Sequence, residues 1–127
     1  MNKKIALLVL GIIIITAAAC RKDYFSTSEN IDLSVPVSFS EKIQPIFTED
    51  CSTTGCHKTG VQSPDLSAGS SYDQLTQLGY VDTTNAEGSL LYKMITSTTK
   101  PMPPTGRLSN TEIGLILTWI KQGAQNN

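Results

Sequence analysis

Residues 109–123 read SNTEIGLILTWIKQG and form the clearest helical pattern of the chain. Ser109 and Glu112 have the spacing of a capping box, which satisfies the first backbone N–H groups of a helix. Apolar residues then recur at intervals of three and four and form one stripe, namely Ile113, Ile116, Leu117 and Ile120. Trp119 falls beside this stripe, and Gly123 is a suitable end. The segment predicts an amphipathic helix that buries one face.

A second helix is predicted at the start of the folded part, where Ser40 can serve as N-cap. One face of this segment carries the apolar residues Phe39, Ile43, Ile46 and Phe47. Pro45 is compatible with a helix only near its first turn. The helix should therefore be short and lead directly to Cys51.

A third helix is predicted after Gly88-Ser89, where Leu90, Leu91, Met94 and Ile95 share a face. The stretch 58–85 is rich in Gly, Ser, Thr, Asp and Gln, with one weak helical segment at 72–78. No pair of strands is evident. The pattern predicts one all-α domain of residues 39–127.

The sequence Cys51-Ser52-Thr53-Thr54-Gly55-Cys56-His57 contains the only histidine of the chain and two of its three cysteines. Two cysteines followed directly by a histidine are typical of covalent haem attachment, with the histidine as the proximal iron ligand. The usual spacing has two residues between the cysteines, whereas this chain has four. Gly55 allows the longer loop to turn sharply. The cluster predicts at most one haem c.

A second iron ligand is expected to be a methionine, because no other histidine exists. A thioether favours Fe(II) and raises the reduction potential. Met102 lies in Lys100-Pro101-Met102-Pro103-Pro104, where the prolines prevent a helix and stiffen the loop. Met94 shares a helical face with Leu91 and is interpreted as a core residue. Met102 is therefore the predicted second ligand.

These features together resemble class I c-type cytochromes, particularly the short bacterial domains of exported lipoproteins. The resemblance covers residues 39–124 and rests on three segments in order: 43–57, Met102-Pro103-Pro104 and 108–124. It implies a fold of three to five helices around one covalently bound haem, with His57 and Met102 on opposite faces of the ring.

The resemblance extends to Pro64-Asp65-Leu66. In the family, a proline carbonyl at this place accepts the Nδ1–H of the proximal histidine, and a leucine covers the haem. By this likeness Pro64 would orient His57, and Leu66 would contact the haem. An ordinary Ser-Pro turn is the alternative interpretation.

The amino terminus has the order of an export signal: Lys3 and Lys4, an apolar run 5–15, then Ala17-Ala18-Ala19-Cys20. Small residues before Cys20 resemble a lipoprotein cleavage site, although Ala17 stands where leucine is more usual. We expect a signal peptide at 1–19, and a lipidated Cys20 with a flexible tether at 20–38. An uncleaved anchor, a Cys20 that is a free thiol or a disulfide partner, and an ordered strand through Ile31, Leu33 and Val35 remain open.

Loss of residues 1–19 would leave eight basic and eleven acidic residues, a formal charge of −3. This balance does not favour nucleic acid as a partner. The expected location is periplasmic or in the cell envelope, bound to a membrane through lipid. The expected partners are redox proteins or a membrane-bound redox complex.

The leading hypothesis is electron transfer rather than catalysis, since the only histidine is assigned to the iron. A haem-based ligand sensor is the nearest alternative. A haem-free exported binding or structural lipoprotein with a Cys51–Cys56 disulfide is an alternative of another class. A zinc site is less favoured, because Cys51, Cys56 and His57 would supply only three ligands.

Overall fold

A computed structural model describes residues 34–127 of the chain. The predicted signal peptide, the predicted lipidation of Cys20 and most of the predicted tether lie outside the described residues. Among the helices of residues 34–127, none has the length and apolar character needed to cross a membrane.

The described part is all-α, as predicted, because residues 34–127 contain helices and no strand. Helix α1 spans 39–51 without a break, and it is wound as a π-helix in its first and last turns. The helical segments in chain order are Phe39–Ile43, Gln44–Ile46 and Phe47–Cys51 in α1, Ser71–Gln77 (α2), the 3₁₀ turn Ala86–Gly88, Leu90–Thr96 (α3) and Asn110–Lys121 (α4).

Helix α1 begins one residue before the predicted cap. Ser38 has extended backbone, and its Oγ accepts the N–H of Glu41 at 3.2 Å. Ser40 lies inside the first turn, so the prediction that Ser40 caps the helix is wrong. The helix continues through Pro45, which lies in the short α-helical segment between the two π-helical turns, so the prediction that Pro45 keeps this helix short is wrong. The helix therefore carries the chain directly into Cys51.

Helix α4 supplies much of the core, and its capping box is present: Ser109 Oγ accepts the Glu112 N–H at 3.2 Å, and Glu112 Oε2 accepts the Ser109 N–H at 2.6 Å. Ile116, Trp119 and Ile120 are almost fully buried. The most buried face of α4 therefore includes Trp119, which lies beside the predicted apolar stripe.

An aromatic cluster explains why Trp119 is buried. The ring of Phe39 contacts the rings of Trp119 and Tyr72, with centroid distances of 5.2 and 5.3 Å, and the Tyr72 and Trp119 rings lie 6.5 Å apart. The indole N–H of Trp119 donates to the carbonyl of Gln125 at 2.9 Å. Helix α1 packs against this side of α4, so the aromatic cluster joins the two helices.

The chain enters the domain at the C-terminal end of α4. The Gln122 side chain accepts the N–H of Val37 at 2.8 Å and donates to the carbonyl of Val35 at 2.9 Å. Asn127 Oδ1 accepts the N–H of Phe39 at 2.8 Å. Val37 is buried in the core. Residues 35–38 of the predicted tether therefore lie against the domain.

Replacement of Trp119 by alanine is expected to lower the free energy of unfolding by about 3–5 kcal/mol, as for other large-to-small substitutions in a core. The variant loses both the aromatic contacts and the indole hydrogen bond. Chemical denaturation measures the change. Leu78→Ala is the control, because Leu78 is 55% exposed and its loss should cost no more than about 0.5 kcal/mol. Equal losses in the two variants would contradict this description of the core.

Candidate functional site

The loop between the two cysteines is closed by hydrogen bonds of its own backbone. The N–H of His57 donates to the carbonyl of Cys51 at 3.0 Å, and the N–H of Cys56 donates to the carbonyl of Thr53 at 3.0 Å. Gly55 has a φ of +83°, which suits the third position of a type II turn over 53–56. The turn takes up the two additional residues of the spacing and returns the chain to Cys51.

Cys51 and Cys56 are both free, half-buried thiols. Cys51 is the last residue of α1 and packs against the core. Burial, reinforced by the nearby charges of Asp50, Cys56 and Glu112, raises the pKa of the Cys51 thiol to about 12. The Cys51 thiol is therefore protonated at neutral pH.

His57 is half-buried, and one ring nitrogen has a fixed partner. Its Nδ1 lies 2.9 Å from the carbonyl oxygen of Pro64, so the bond that the resemblance implies is present. A carbonyl can only accept, so Nδ1 carries a proton, and in the neutral imidazole the free lone pair is on Nε2. The Leu66 N–H donates to the carbonyl of His57 at 2.8 Å. The two bonds hold the ring and the backbone of His57 against residues 64–66.

Residues 64–66 are themselves fastened to α1 through Gln44, which sequence reasoning did not single out. The Gln44 side-chain amide donates to the carbonyl of Leu66 at 3.2 Å, and its Oε1 accepts from the hydroxyl of the buried Ser71. Pro64 and Leu66 are buried. The only signal in the sequence was a polar side chain beside an apolar stripe. Gln44 thus couples α1 and α2 to the segment that orients His57.

Met102 is half-buried in the proline-rich loop, and its backbone is held by α3. The N–H of Met102 donates to the carbonyl of Met94 at 3.1 Å. The guanidinium of Arg107 donates to the carbonyl of Ser97 at 3.0 Å, which ties the far side of the loop to the end of α3. The loop that carries Met102 is therefore fixed at both sides.

Met94 is less buried than its interpretation as a core residue predicts. Its neighbours Leu91 and Ile95 are buried, but Met94 is only half-buried and lies at the edge of the buried face. The helix is short, and its core-facing surface is filled by the two branched side chains. Two methionines are thus half-buried on adjacent segments.

Helix α4 has more apolar surface than the core covers. Ile116 and Ile120 of the predicted stripe are fully buried, whereas Ile113 and Leu117 are half-buried. Ile113 follows Glu112, whose carboxylate is close enough to Cys51 to raise the pKa of its thiol. A half-exposed apolar face therefore begins beside the loop of Cys51.

The loops of Cys51 and Met102 approach each other across a cleft of about 290 Å³. Glu49, Asp50 and Thr53 line it from the cysteine side, and Pro103 and residues 105–107 line it from the methionine side. The structure thus places the surroundings of Cys51 and of Met102 on two walls of one cleft.

The raised pKa of Cys51 predicts a pH dependence of stability in the haem-free chain. An unfolded thiol loses its proton near pH 9.0, whereas the folded Cys51 thiol keeps it to about pH 12. The unfolded state then binds fewer protons in this window, so the free energy of unfolding falls as pH rises, by at most about 1.4 kcal/mol per pH unit. Chemical denaturation of the wild type and of Cys51→Ala at several pH values isolates this contribution. Identical pH dependence in the two proteins would contradict it.

Metal-binding clusters of three or more His, Cys, Asp or Glu side chains are absent from residues 34–127. The cysteines and His57 do not converge there as the zinc alternative requires. Comparison of the chain with protein-family models, with curated proteins and with solved structures finds no match. The functional interpretation therefore rests on the chemistry and geometry of the chain itself.

Proposed function

We propose that this protein transfers electrons through one covalently attached haem c, bound by Cys51 and Cys56, with His57 and Met102 as the axial ligands of the iron. The observation that carries the proposal is the hydrogen bond from His57 Nδ1 to the carbonyl of Pro64. It fixes the tautomer in which Nε2 can bind a metal, and such outer hydrogen bonds make an imidazole a better ligand.

The state of the cysteines agrees with this proposal. Each thioether forms when one S–H adds across one vinyl group of the porphyrin, which requires thiols and consumes both. Cys51 and Cys56 are free, and the Cys51 thiol is held at the rigid end of α1. Cys51 would therefore fix one edge of the ring to α1, and the turn at 53–56 would place Cys56 and His57 for the second bond and the proximal ligand.

The apolar surroundings also suit a porphyrin, which is a large flat hydrophobic group. Ile113 and Leu117 offer half-exposed side chains on α4, and Met94 and Met102 are half-buried on α3 and in the loop that follows it. Leu66 lies in the adjoining core. Burial of this apolar area would add to the stability of the haem-loaded protein.

A haem at this place supplies a reversible one-electron couple between Fe(II) and Fe(III). The chain supplies the environment of that couple: His57 as a neutral imidazole, Met102 as a thioether that favours the reduced state, and an apolar contact surface. We assign no enzymatic activity, because the single histidine is committed to the iron and leaves no histidine to act as general acid or base.

The proposal includes the cellular setting expected from the sequence. The signal at 1–19 would export the chain, and lipid on Cys20 would hold it at a membrane of the cell envelope. Redox proteins or a membrane-bound redox complex would be its partners. Covalent haem attachment to c-type cytochromes occurs outside the cytoplasm, so the two parts of the proposal support each other.

Carbon monoxide distinguishes the proposed carrier from the alternative haem-based sensor. With both His57 and Met102 bound, the reduced protein has no open iron position, so its visible spectrum should not change when carbon monoxide is added at neutral pH. A sensor would bind the gas, and the absorption bands would shift. A shift at stoichiometric carbon monoxide would contradict the proposed ligation by Met102.

A further inference from the structure

The cleft between the cysteine loop and the methionine loop lies beside two of the residues proposed to hold the haem, Cys51 and Met102. Glu49, Asp50 and Thr53 lie immediately around Cys51 in sequence and form one wall, and Pro103 directly follows Met102 in the other. A partner bound at this cleft would therefore lie next to the proposed sites of Cys51 and Met102.

The charge around this cleft is predominantly negative. The carboxylates of Glu49 and Asp50 line it, and that of Glu112 lies nearby at the start of α4. Burial, followed by the charges of Glu112 and Glu49, raises the pKa of Asp50, so both carboxylates lie close enough to Asp50 to repel its negative charge. Arg107 is the basic residue in the lining, and its guanidinium is bound to the carbonyl of Ser97. A positively charged partner would relieve this repulsion.

The described segment that enters the domain does not cover the cleft. Gln122 and Asn127 hold residues 35–40 at the C-terminal end of α4, whereas Glu112 and the cleft lie at its N-terminal end. Ten residues of helix separate Glu112 from Gln122, a distance of about 15 Å at the usual rise. The cleft and the point of chain entry are thus at opposite ends of α4.

We propose that this cleft is the docking surface for a redox protein that carries a positively charged patch. The proposal rests on the proposed electron transfer and adds to it the position of the partner and the sign of its charge. Complementary charge of this kind steers two proteins into productive orientations and raises the rate of association.

Two inorganic oxidants of opposite charge test the proposal on the reduced full-length protein. The cation tris(phenanthroline)cobalt(III) represents the partner, and the anion ferricyanide is its counterpart. In each reaction one electron passes from the reduced protein to the oxidant, which becomes cobalt(II) or ferrocyanide. Stopped-flow absorbance gives both rate constants at low ionic strength, where charges act over about 30 Å.

The test variant is the double substitution Glu49→Gln and Asp50→Asn. The matched control is Glu41→Gln and Asp73→Asn, which changes the net charge equally at two exposed positions. Asp73 shares a pocket with Asn126, and Glu41 lies in the first turn of α1, at the end where the chain enters. Both pairs keep the size of the side chains.

Removal of two charges at the cleft is expected to slow oxidation by the cobalt cation about five-fold and to accelerate oxidation by ferricyanide by a similar factor. The control pair should change each rate less than two-fold. A change in reduction potential alone would move both rates in the same direction, so opposite changes identify a local electrostatic effect.

Equal responses of the two variants, or changes of the same sign with both oxidants, would overturn the docking proposal while leaving the proposed function intact. Protein without covalent haem, recognised by its mass before the kinetics, would overturn both proposals. Opposite changes confined to the cleft variant would support the proposed docking surface.

Discussion

Replacement of Met102 by alanine is expected to abolish the methionine-to-iron charge-transfer band at the red end of the visible spectrum of the oxidised protein. The thioether is the proposed sixth ligand, and alanine provides no donor atom. The reduction potential should fall, because the ligand that favours Fe(II) is lost. Absorption spectroscopy and a potentiometric titration of the purified variant measure the two effects.

Carbon monoxide gives the same substitution a second readout. With the sixth position open, the reduced Met102→Ala protein should bind one carbon monoxide per haem, whereas the wild type should bind none. This outcome does not depend on the intensity of the weak charge-transfer band.

Met94→Ala is the matched control for Met102→Ala. The two methionines are linked through their backbones by the 3.1 Å hydrogen bond from the Met102 N–H to the Met94 carbonyl, and both are half-buried. Either substitution removes one thioether from the same region. The Met94→Ala variant should retain the charge-transfer band and should not bind carbon monoxide. Loss of the band in Met94→Ala with its retention in Met102→Ala would contradict the assignment.

Replacement of both Cys51 and Cys56 by alanine is expected to eliminate covalent haem. Each sulfur is proposed to form one thioether, so the double variant has no covalent bond to the porphyrin. Its denatured chain should have the mass of the polypeptide alone, where the wild type carries the added mass of one haem. The expected change is from about one haem per chain to none, in a host competent for haem attachment.

The single variants Cys51→Ala and Cys56→Ala provide the control for this result. Each retains one sulfur and His57, so a fraction of the chains should still carry covalent haem through one thioether. The mass of trypsin-digested peptides then identifies the bonded cysteine. Haem retained at full yield by the double variant would place the attachment elsewhere and contradict the account.

The parts of the fold that follow from local chemistry could be predicted from the sequence. The capping box of Ser109 and Glu112 is a pattern of four residues, and the structure confirms it. The helical turns from Leu90 onward also depend mainly on the spacing of apolar residues. Such features need no knowledge of distant neighbours.

Features that depend on packing between elements were not predictable in this way. Trp119 lies beside the apolar stripe of its helix, yet it is buried because α1 brings Phe39 against it. The choice of Ser38 over Ser40 as N-cap depends on where α1 begins, and Asn127 helps to fix that start by accepting the N–H of Phe39. Both outcomes are decided by residues far away in the sequence.

In the candidate site, too, the local features were predictable and the features that depend on distant residues were not. Cys51, Cys56 and His57 form a local motif, and the resemblance also pointed to the Pro64 carbonyl. The role of Gln44, which fastens the carbonyl of Leu66 to α1, has no local signature because its partners lie 22 and 27 residues away. The turn over 53–56 that takes up the longer cysteine spacing needed the backbone geometry as well as the presence of Gly55.

The mass of the denatured mature chain, recorded together with the visible spectrum of the reduced native protein, decides whether the chain carries a covalent haem. We expect a chain heavier by one covalently bound haem and a spectrum with the sharp bands of a low-spin c-type haem. A denatured chain with the mass of polypeptide and lipid alone, with no iron, from a host competent for haem attachment would contradict the proposed function.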